Sequence, residues 1–69
     1  MRGYVEIITG WDAVNLFAVM DWSESGDSGW MAGAFVLRSD AVTFAQQYAR
    51  DNRRYLHCAD VVPFNARVA

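Results

Sequence analysis

The pattern of apolar and polar positions is clearest between Leu37 and Arg54, where it has the 3.6-residue period of an α-helix. Its apolar members recur at i, i+3, i+4 and i+7, and they are Ala41, Phe44, Ala45 and Tyr48, with Val42 and Ala49 on the flank. Ser39 is the expected N-cap residue, and Asn52 is expected to end the helix in a left-handed conformation. The pattern therefore predicts an amphipathic helix over about 39–53, with one buried face.

Outside this helix the pattern favours strands. Residues 3–9 are rich in β-branched side chains and predict a strand. Residues 13–22 fit either a strand or a helix capped by Asp12. We favour the strand, because a matching apolar run at 30–37 follows a short loop of glycines and small polar residues at 23–29. Within that run, Gly33 is expected to mark a bulge or a close contact.

A last strand is predicted over 55–62. Pro63 closes it because proline has no N–H to donate to a sheet, and 64–69 is interpreted as a short tail. The order β-β-β-α-β predicts an α+β fold, with a small antiparallel sheet and one helix packed on one face. Residues 1–69 are interpreted as a single compact domain, which agrees with the length of the chain.

The second and third predicted strands are apolar on both sides, although a half-buried antiparallel sheet normally alternates apolar with polar residues. One helix covers only one side, so we expect an exposed apolar and aromatic sheet face. Exposed apolar patches of this kind usually mark interaction surfaces. We expect the partner to be a protein, of unknown identity. The chain is also expected to form a homo-oligomer, namely a dimer, because two-fold dimers are the commonest oligomers.

Charge and cysteine content narrow the class further. The net charge is −2, which argues against nonspecific nucleic-acid binding. All six basic residues are arginine, and five of the eight acidic residues precede Arg38. Cys58 is the only cysteine, which fits a reducing compartment. No run of about 20 apolar residues is present, so we expect no membrane association and a cytoplasmic location.

Three short motifs suggest chemistry, and each is incomplete. Gly26-Asp27-Ser28-Gly29 resembles the nucleophile motif of chymotrypsin-like serine proteases over four residues only, and His57 is the only histidine. The spacing from Asp21 to Gly26 is similar to the start of a calcium loop, but the twelfth position is Ala32 in place of glutamate. His57 and Cys58 point to opposite faces in a strand, so they cannot share a metal. We therefore predict no catalytic residue, metal or cofactor.

The candidate binding residues form three groups. Trp11, Trp22 and Trp30 lie near predicted hairpin ends, and tryptophan is enriched at interface hot spots. Trp22 and Trp30 flank the loop and are interpreted as cross-strand neighbours. Glu24 and Asp27, with Glu6, Asp12 and Asp21, are interpreted as an acidic face for a basic partner. Arg50, Arg53 and Arg54, interleaved with Tyr48 and Tyr55, suggest a site for single-stranded nucleic acid.

The leading hypothesis is a non-enzymatic protein-binding module, an inhibitor or adaptor acting through the apolar sheet face and the acidic surface. Its organisation is similar to that of small accessory proteins of phages and mobile elements. The alternative is a single-stranded nucleic-acid-binding protein that uses the arginine-rich helix end. A small enzyme or ligand-binding protein ranks third, because acid–base chemistry needs convergent titratable groups in a cleft.

Overall fold

The computed structural model of the protein describes residues 3–10, 15–57 and 61–63. Along the chain these residues form β1 (Tyr4–Thr9), β2 (Phe17–Trp22), β3 (Gly29–Phe35), α1 (Arg38–Asp51), β4 (Tyr55–Leu56) and β5 (Val62–Pro63). The predicted α+β class and the order β-β-β-α-β are confirmed, with the last predicted strand present as the two short segments β4 and β5. Within the segment 13–22, the regular structure that is described is the strand β2, as we favoured from the sequence.

The strands form one five-stranded sheet in the order β3-β2-β1-β4, with β5 also paired to β1. β1 runs antiparallel to β2, and β2 runs antiparallel to β3. β4 and β5 join the other edge of β1 in parallel orientation, at Tyr4–Val5 and at Ile8–Thr9. The sheet is therefore mixed, whereas the sequence predicted an antiparallel one. The parallel pairing arises because α1 crosses the sheet from the β3 edge to the opposite edge of β1 before β4 begins.

The helix begins one residue earlier than predicted, and the predicted N-cap is wrong. Leu37 holds the N-cap position in an extended conformation (φ −103°, ψ 135°), and no side-chain hydrogen bond caps this end within the described residues. The backbone N–H of Ala41 donates to the Leu37 carbonyl at 3.2 Å. Ser39 thus lies inside the first turn, where its hydroxyl cannot act as the cap.

The end of the helix also differs from the prediction in one residue. Arg53, not Asn52, is left-handed (φ 54°). Asn52 extends the helix because its backbone N–H and its side-chain amide both donate to the Tyr48 carbonyl, at 3.0 and 2.9 Å. The Arg53 N–H then donates to the Arg50 carbonyl and the Arg54 N–H to the Ala49 carbonyl, which is the hydrogen-bond pattern of a Schellman motif.

The predicted apolar stripe of α1 is confirmed, and its buried members are all alanines: Ala41, Ala45 and Ala49. These small side chains let the helix pack closely on Val5, Ile7 and Val19, which are fully buried on the same side of the sheet. This side of the sheet, called here the helix side, holds the main core.

The side of the sheet that faces away from α1, called here the far side, is not exposed as the sequence predicted. Ile8, Ala18 and Met20 point to that side, and at most 2% of each is exposed. They form a second buried cluster, against which Trp22 and Val62 pack. The prediction of a wholly uncovered apolar face is therefore wrong for β1 and β2. The exposed large apolar side chains on the far side of the described strands are Met31 on β3 and Tyr55 on β4.

Several sequence-based predictions fall outside the described residues. They concern Trp11 as a binding residue, Asp12 as a member of the acidic face, Cys58 in the last predicted strand, and the tail at 64–69. Among the residues that are described, no helix is long and apolar enough to cross a membrane.

Candidate functional site

Exposed apolar side chains are concentrated along one edge of the molecule. Trp30 and Met31 on β3, and Val36 and Leu37 just after it, are 57%, 39%, 74% and 58% exposed. We call these four residues the apolar edge. Tyr55, the other exposed large apolar residue of the described chain, lies on β4 across the sheet. Sequence reasoning named Trp30 as a binding residue but not Met31, Val36 or Leu37. The signal for these three was the uncharged run at 30–37, which continues past the strand to the start of the helix.

The backbone of β3 adds hydrogen-bonding capacity to this edge. Of the described strands, only β2 pairs with β3, so β3 ends the sheet. Its seven residues include no charged side chain and no proline, which are the usual devices that keep an edge strand from pairing with another chain. One irregularity is present: the register shifts between Val19 and Met20, so Ala32 is an extra residue on β3.

Four aromatic rings line the helix side next to this edge. Phe35 lies 5.2 Å from Phe44, Phe44 is stacked on Tyr48 at 5.8 Å, and Tyr48 meets the edge of Trp30 at 6.3 Å. We call these rings the aromatic row. Gly33 fits beneath it, since an added Cβ would lie 3.0 Å from Phe35 and 3.2 Å from Phe44. The close contact predicted at Gly33 is confirmed.

A buried carboxylate fixes the end of the row. Asp21 is 4% exposed, and its Oδ2 accepts a hydrogen bond of 2.6 Å from the Tyr48 hydroxyl. Arg54 Nε lies 3.3 Å from Asp21 Oδ1 but is not aligned to donate a hydrogen bond, so this contact is a charge–charge contact. A pocket of about 300 Å³ opens beside Asp21, Arg54 and Trp30.

The pKa of Tyr48 reflects this environment. The pKa of Tyr48 is raised to about 12, first by burial and then by the hydrogen bond to Asp21 and the negative charge of that carboxylate, while the positive charge of Arg54 acts in the opposite direction. Tyr48 is therefore a hydrogen-bond donor at neutral pH. Asp21 on β2 has two partners, Tyr48 on α1 and Arg54 just before β4, so these contacts join three segments of the chain. Their role is therefore structural.

The predicted acidic face is wrong for two of its members. Glu6 and Asp21 are each 4% exposed. Glu6 Oε1 accepts a 3.1 Å hydrogen bond from the indole Nε1 of Trp22 on the far side. Glu24 and Asp27 are exposed in the loop at 23–28, so the accessible carboxylates of the N-terminal half that are described lie in this loop.

The two described tryptophans are not cross-strand neighbours, contrary to the prediction. Trp22 is paired with Gly29, and Trp30 is paired with Asp21. Because adjacent residues of a strand point to opposite faces, Trp22 lies on the far side, half-buried, while Trp30 lies on the helix side, exposed. Of these two described tryptophans, Trp30 is therefore the one positioned to offer most of its ring to a partner.

The predicted arginine site is divided by the fold. Arg54 points to Asp21, and Arg50 donates to the Gln47 side-chain oxygen at 3.4 Å. Arg53 is exposed at the left-handed position that ends the helix. The three arginines therefore do not present one continuous basic surface, and one of them is engaged with a buried carboxylate.

The short chemical motifs are not assembled into a site. Ser28 lies in the hairpin loop, while His57 follows β4 at the other edge of the sheet, where its ring is tilted by 46° against that of Tyr4 at 5.2 Å. Asp21, the first residue of the calcium-like motif, faces Tyr48 and Arg54 inside the fold. The described residues include no group of three or more His, Cys, Asp or Glu side chains arranged to hold a metal ion.

Comparison of the chain with protein-family models, with curated proteins and with solved structures found no match.

Proposed function

We propose that this protein is a non-enzymatic protein-binding module that acts through the apolar edge. The observation that carries the proposal is the clustering of exposed apolar residues, since Trp30, Met31, Val36 and Leu37 lie within eight consecutive positions at the end of the sheet. Their burial by a partner would remove apolar surface from water, at about 25 cal/mol per Å².

The surroundings of the apolar edge suit protein recognition. The strand supplies backbone groups at the sheet edge, and an extended segment of a partner can pair with such an edge while its side chains pack beside it. Trp30 adds the type of side chain that most often dominates an interface. The exposed Glu24 and Asp27 at one end of β3 give the surface an acidic rim, and such rims affect partner choice and association rate. A role as an inhibitor or adaptor, of the kind encoded by phages and mobile elements, fits a small domain whose described residues present one such surface.

The test compares two variants of matched chemistry. In the first, Val36→Ser and Leu37→Ser are combined, which removes two exposed apolar side chains from the apolar edge. In the second, Tyr55→Ser removes an exposed aromatic side chain from β4, at the opposite edge of the sheet. All three proteins are then assayed for self-association by sedimentation velocity and for protein capture from a lysate of the native host.

We expect the wild type and the Tyr55 variant to associate with the same protein, and the Val36/Leu37 variant to lose at least about tenfold in affinity, which corresponds to about 1.4 kcal/mol. Circular dichroism serves as the control that the Val36/Leu37 variant is folded. If the wild type associates with nothing, or if both variants bind as the wild type does, the proposal is wrong.

A further inference from the structure

We propose that the partner of the apolar edge is a second copy of the same chain, with the two β3 strands paired antiparallel about a two-fold axis. This inference rests on the proposed function and specifies the partner and the register. Residue i of one copy would face residue 65 − i of the other. Such a contact is closed, because each copy uses the same edge.

The register follows from the side of the sheet on which each β3 residue lies. The ring contacts of Trp30 and Phe35 and the packing of Ala32 and Gly33 place these four residues on the helix side. Met31 and Ala34 are paired with Met20 and Ala18, which belong to the far-side cluster.

The extra residue at position 32 makes this order symmetric. From residue 30 to residue 35 the sides are helix, far, helix, helix, far, helix, which is the same sequence in both directions. Facing residues of an antiparallel pair must lie on the same side of the sheet. For two copies of β3, matching all six residues in this way requires that facing residues sum to 65, and the two helices then lie on the same side of a continuous sheet.

Side-chain size agrees with the same register. Met31 faces Ala34, and Ala32 faces Gly33, so each of these pairs combines a larger residue with a smaller one. Trp30 faces Phe35, which joins the aromatic rows of the two copies, and aromatic cross-strand pairs are among the favourable ones. Val36, the most exposed of the large apolar residues at 74%, faces Gly29.

Charge is also complementary in this register. Arg38 follows the apolar edge at the start of α1, and Asp27 lies in the loop before β3. They flank opposite ends of β3, so the antiparallel pairing brings the helix start that carries Arg38 of each copy towards the loop that carries Asp27 of the other. The positive end of the α1 dipole reinforces the attraction to this loop, although Asp40 in the first turn offsets part of it.

Sedimentation equilibrium tests the dimer, with Met31→Lys as the disruptive variant and Tyr55→Lys as its control. Both substitutions place a lysine at an exposed position of a strand. We expect a wild-type dimer, at least a tenfold increase in its dissociation constant for Met31→Lys, and no change for Tyr55→Lys. A monomeric wild type would overturn the inference. If that monomer still captured another protein through Val36 and Leu37, the proposed function would stand alone.

A charge exchange tests the orientation. Arg38→Asp and Asp27→Arg are each expected to weaken the dimer, and the double variant is expected to recover most of the affinity. Because a two-fold dimer contains the pair twice and each exposed pair contributes little, we expect changes of about two- to tenfold that decrease with salt. Equal weakening in the double variant and the single variants would contradict the antiparallel orientation.

Cysteine pairs test the register itself. Met31→Cys combined with Ala34→Cys places thiols face to face across the axis, and mild oxidation is expected to give a covalent dimer. Met31→Cys combined with Val36→Cys is offset by two residues, beyond the reach of a disulfide. The unsubstituted protein, which contains only Cys58, measures the background. A covalent dimer from the offset pair, and not from the facing pair, would overturn the register.

Discussion

The hydroxyl of Tyr48 on α1 donates a 2.6 Å hydrogen bond to the carboxylate of Asp21 on β2, across 27 residues of sequence. Asp21 is buried on the side of the sheet that holds the main core, and burying a carboxylate is costly unless it is hydrogen-bonded or paired. This contact and the nearby Arg54 connect the helix to the sheet at the end that also carries Trp30.

We expect Tyr48→Phe to destabilise the protein by about 1.5–3 kcal/mol, because it removes a hydrogen bond to a charged group and leaves Asp21 with Arg54 alone. Tyr55→Phe is the matched control: Tyr55 is 65% exposed, and we expect a change within about 0.5 kcal/mol. Urea unfolding measures both values. Equal stability of the two variants would show that the hydrogen bond does not contribute.

The raised pKa of Tyr48 predicts how stability changes at high pH. An ordinary tyrosine titrates at 10.0, whereas Tyr48 in the folded chain titrates at about 12. Below pH 10 both states keep the proton. Between these values the unfolded chain loses it first, so the contribution of Tyr48 to stability decreases as pH rises from about 10 to about 12.

Asp21→Asn tests the cause of this shift. The substitution removes the negative charge and the charged acceptor, so we expect the Tyr48 pKa to fall below the wild-type value of about 12 while part of the elevation due to burial remains. Titration of the Tyr48 ring signal by NMR measures the change. An unchanged titration would show that Asp21 does not affect the hydroxyl.

Arg53→Gly should stabilise the protein. Arg53 holds the left-handed position of the Schellman motif, at φ 54°. A left-handed L-residue is unfavourable by about 1–2 kcal/mol, and glycine loses part of this gain through its more flexible unfolded state, so we expect a net increase of about 0.5–1 kcal/mol. Asn52→Gly is the control: Asn52 has a negative φ, so we expect glycine at this position to destabilise the protein. Thermal unfolding would contradict the assignment if Arg53→Gly lowered the midpoint.

Ala45→Leu should destabilise the protein by about 1–3 kcal/mol, because no space remains beside a fully buried alanine that packs on the sheet. Gln46→Leu adds an apolar side chain at the next, exposed helical position, and we expect a change within about 0.5 kcal/mol. Chemical denaturation distinguishes them. A tolerant Ala45 would mean that α1 does not pack closely on the sheet.

The fold class could be predicted from the sequence because its signals are local. The 3.6-residue period of the alanines and aromatic residues in α1 requires a helix with one buried face. The β-branched residues of β1 favour a strand, and the loop at 23–28, with Gly26 and small polar residues, favours a hairpin between β2 and β3. Helix boundaries were less predictable, since the cap depends on the backbone geometry of Leu37 and Arg53 and not on a preferred residue type.

The candidate site was decided by tertiary structure. Period-two alternation places Asp21 on the same face as Val19, but only the packing of α1 makes that face buried and brings Tyr48 to the carboxylate. In the same way, Ile8 and Met20 read as exposed apolar residues until the fold buries them. The sequence by itself determined which elements form and which of their faces are apolar. Three-dimensional packing decided which apolar residues remain in water, because solvent exposure depends on contacts between segments distant in the chain.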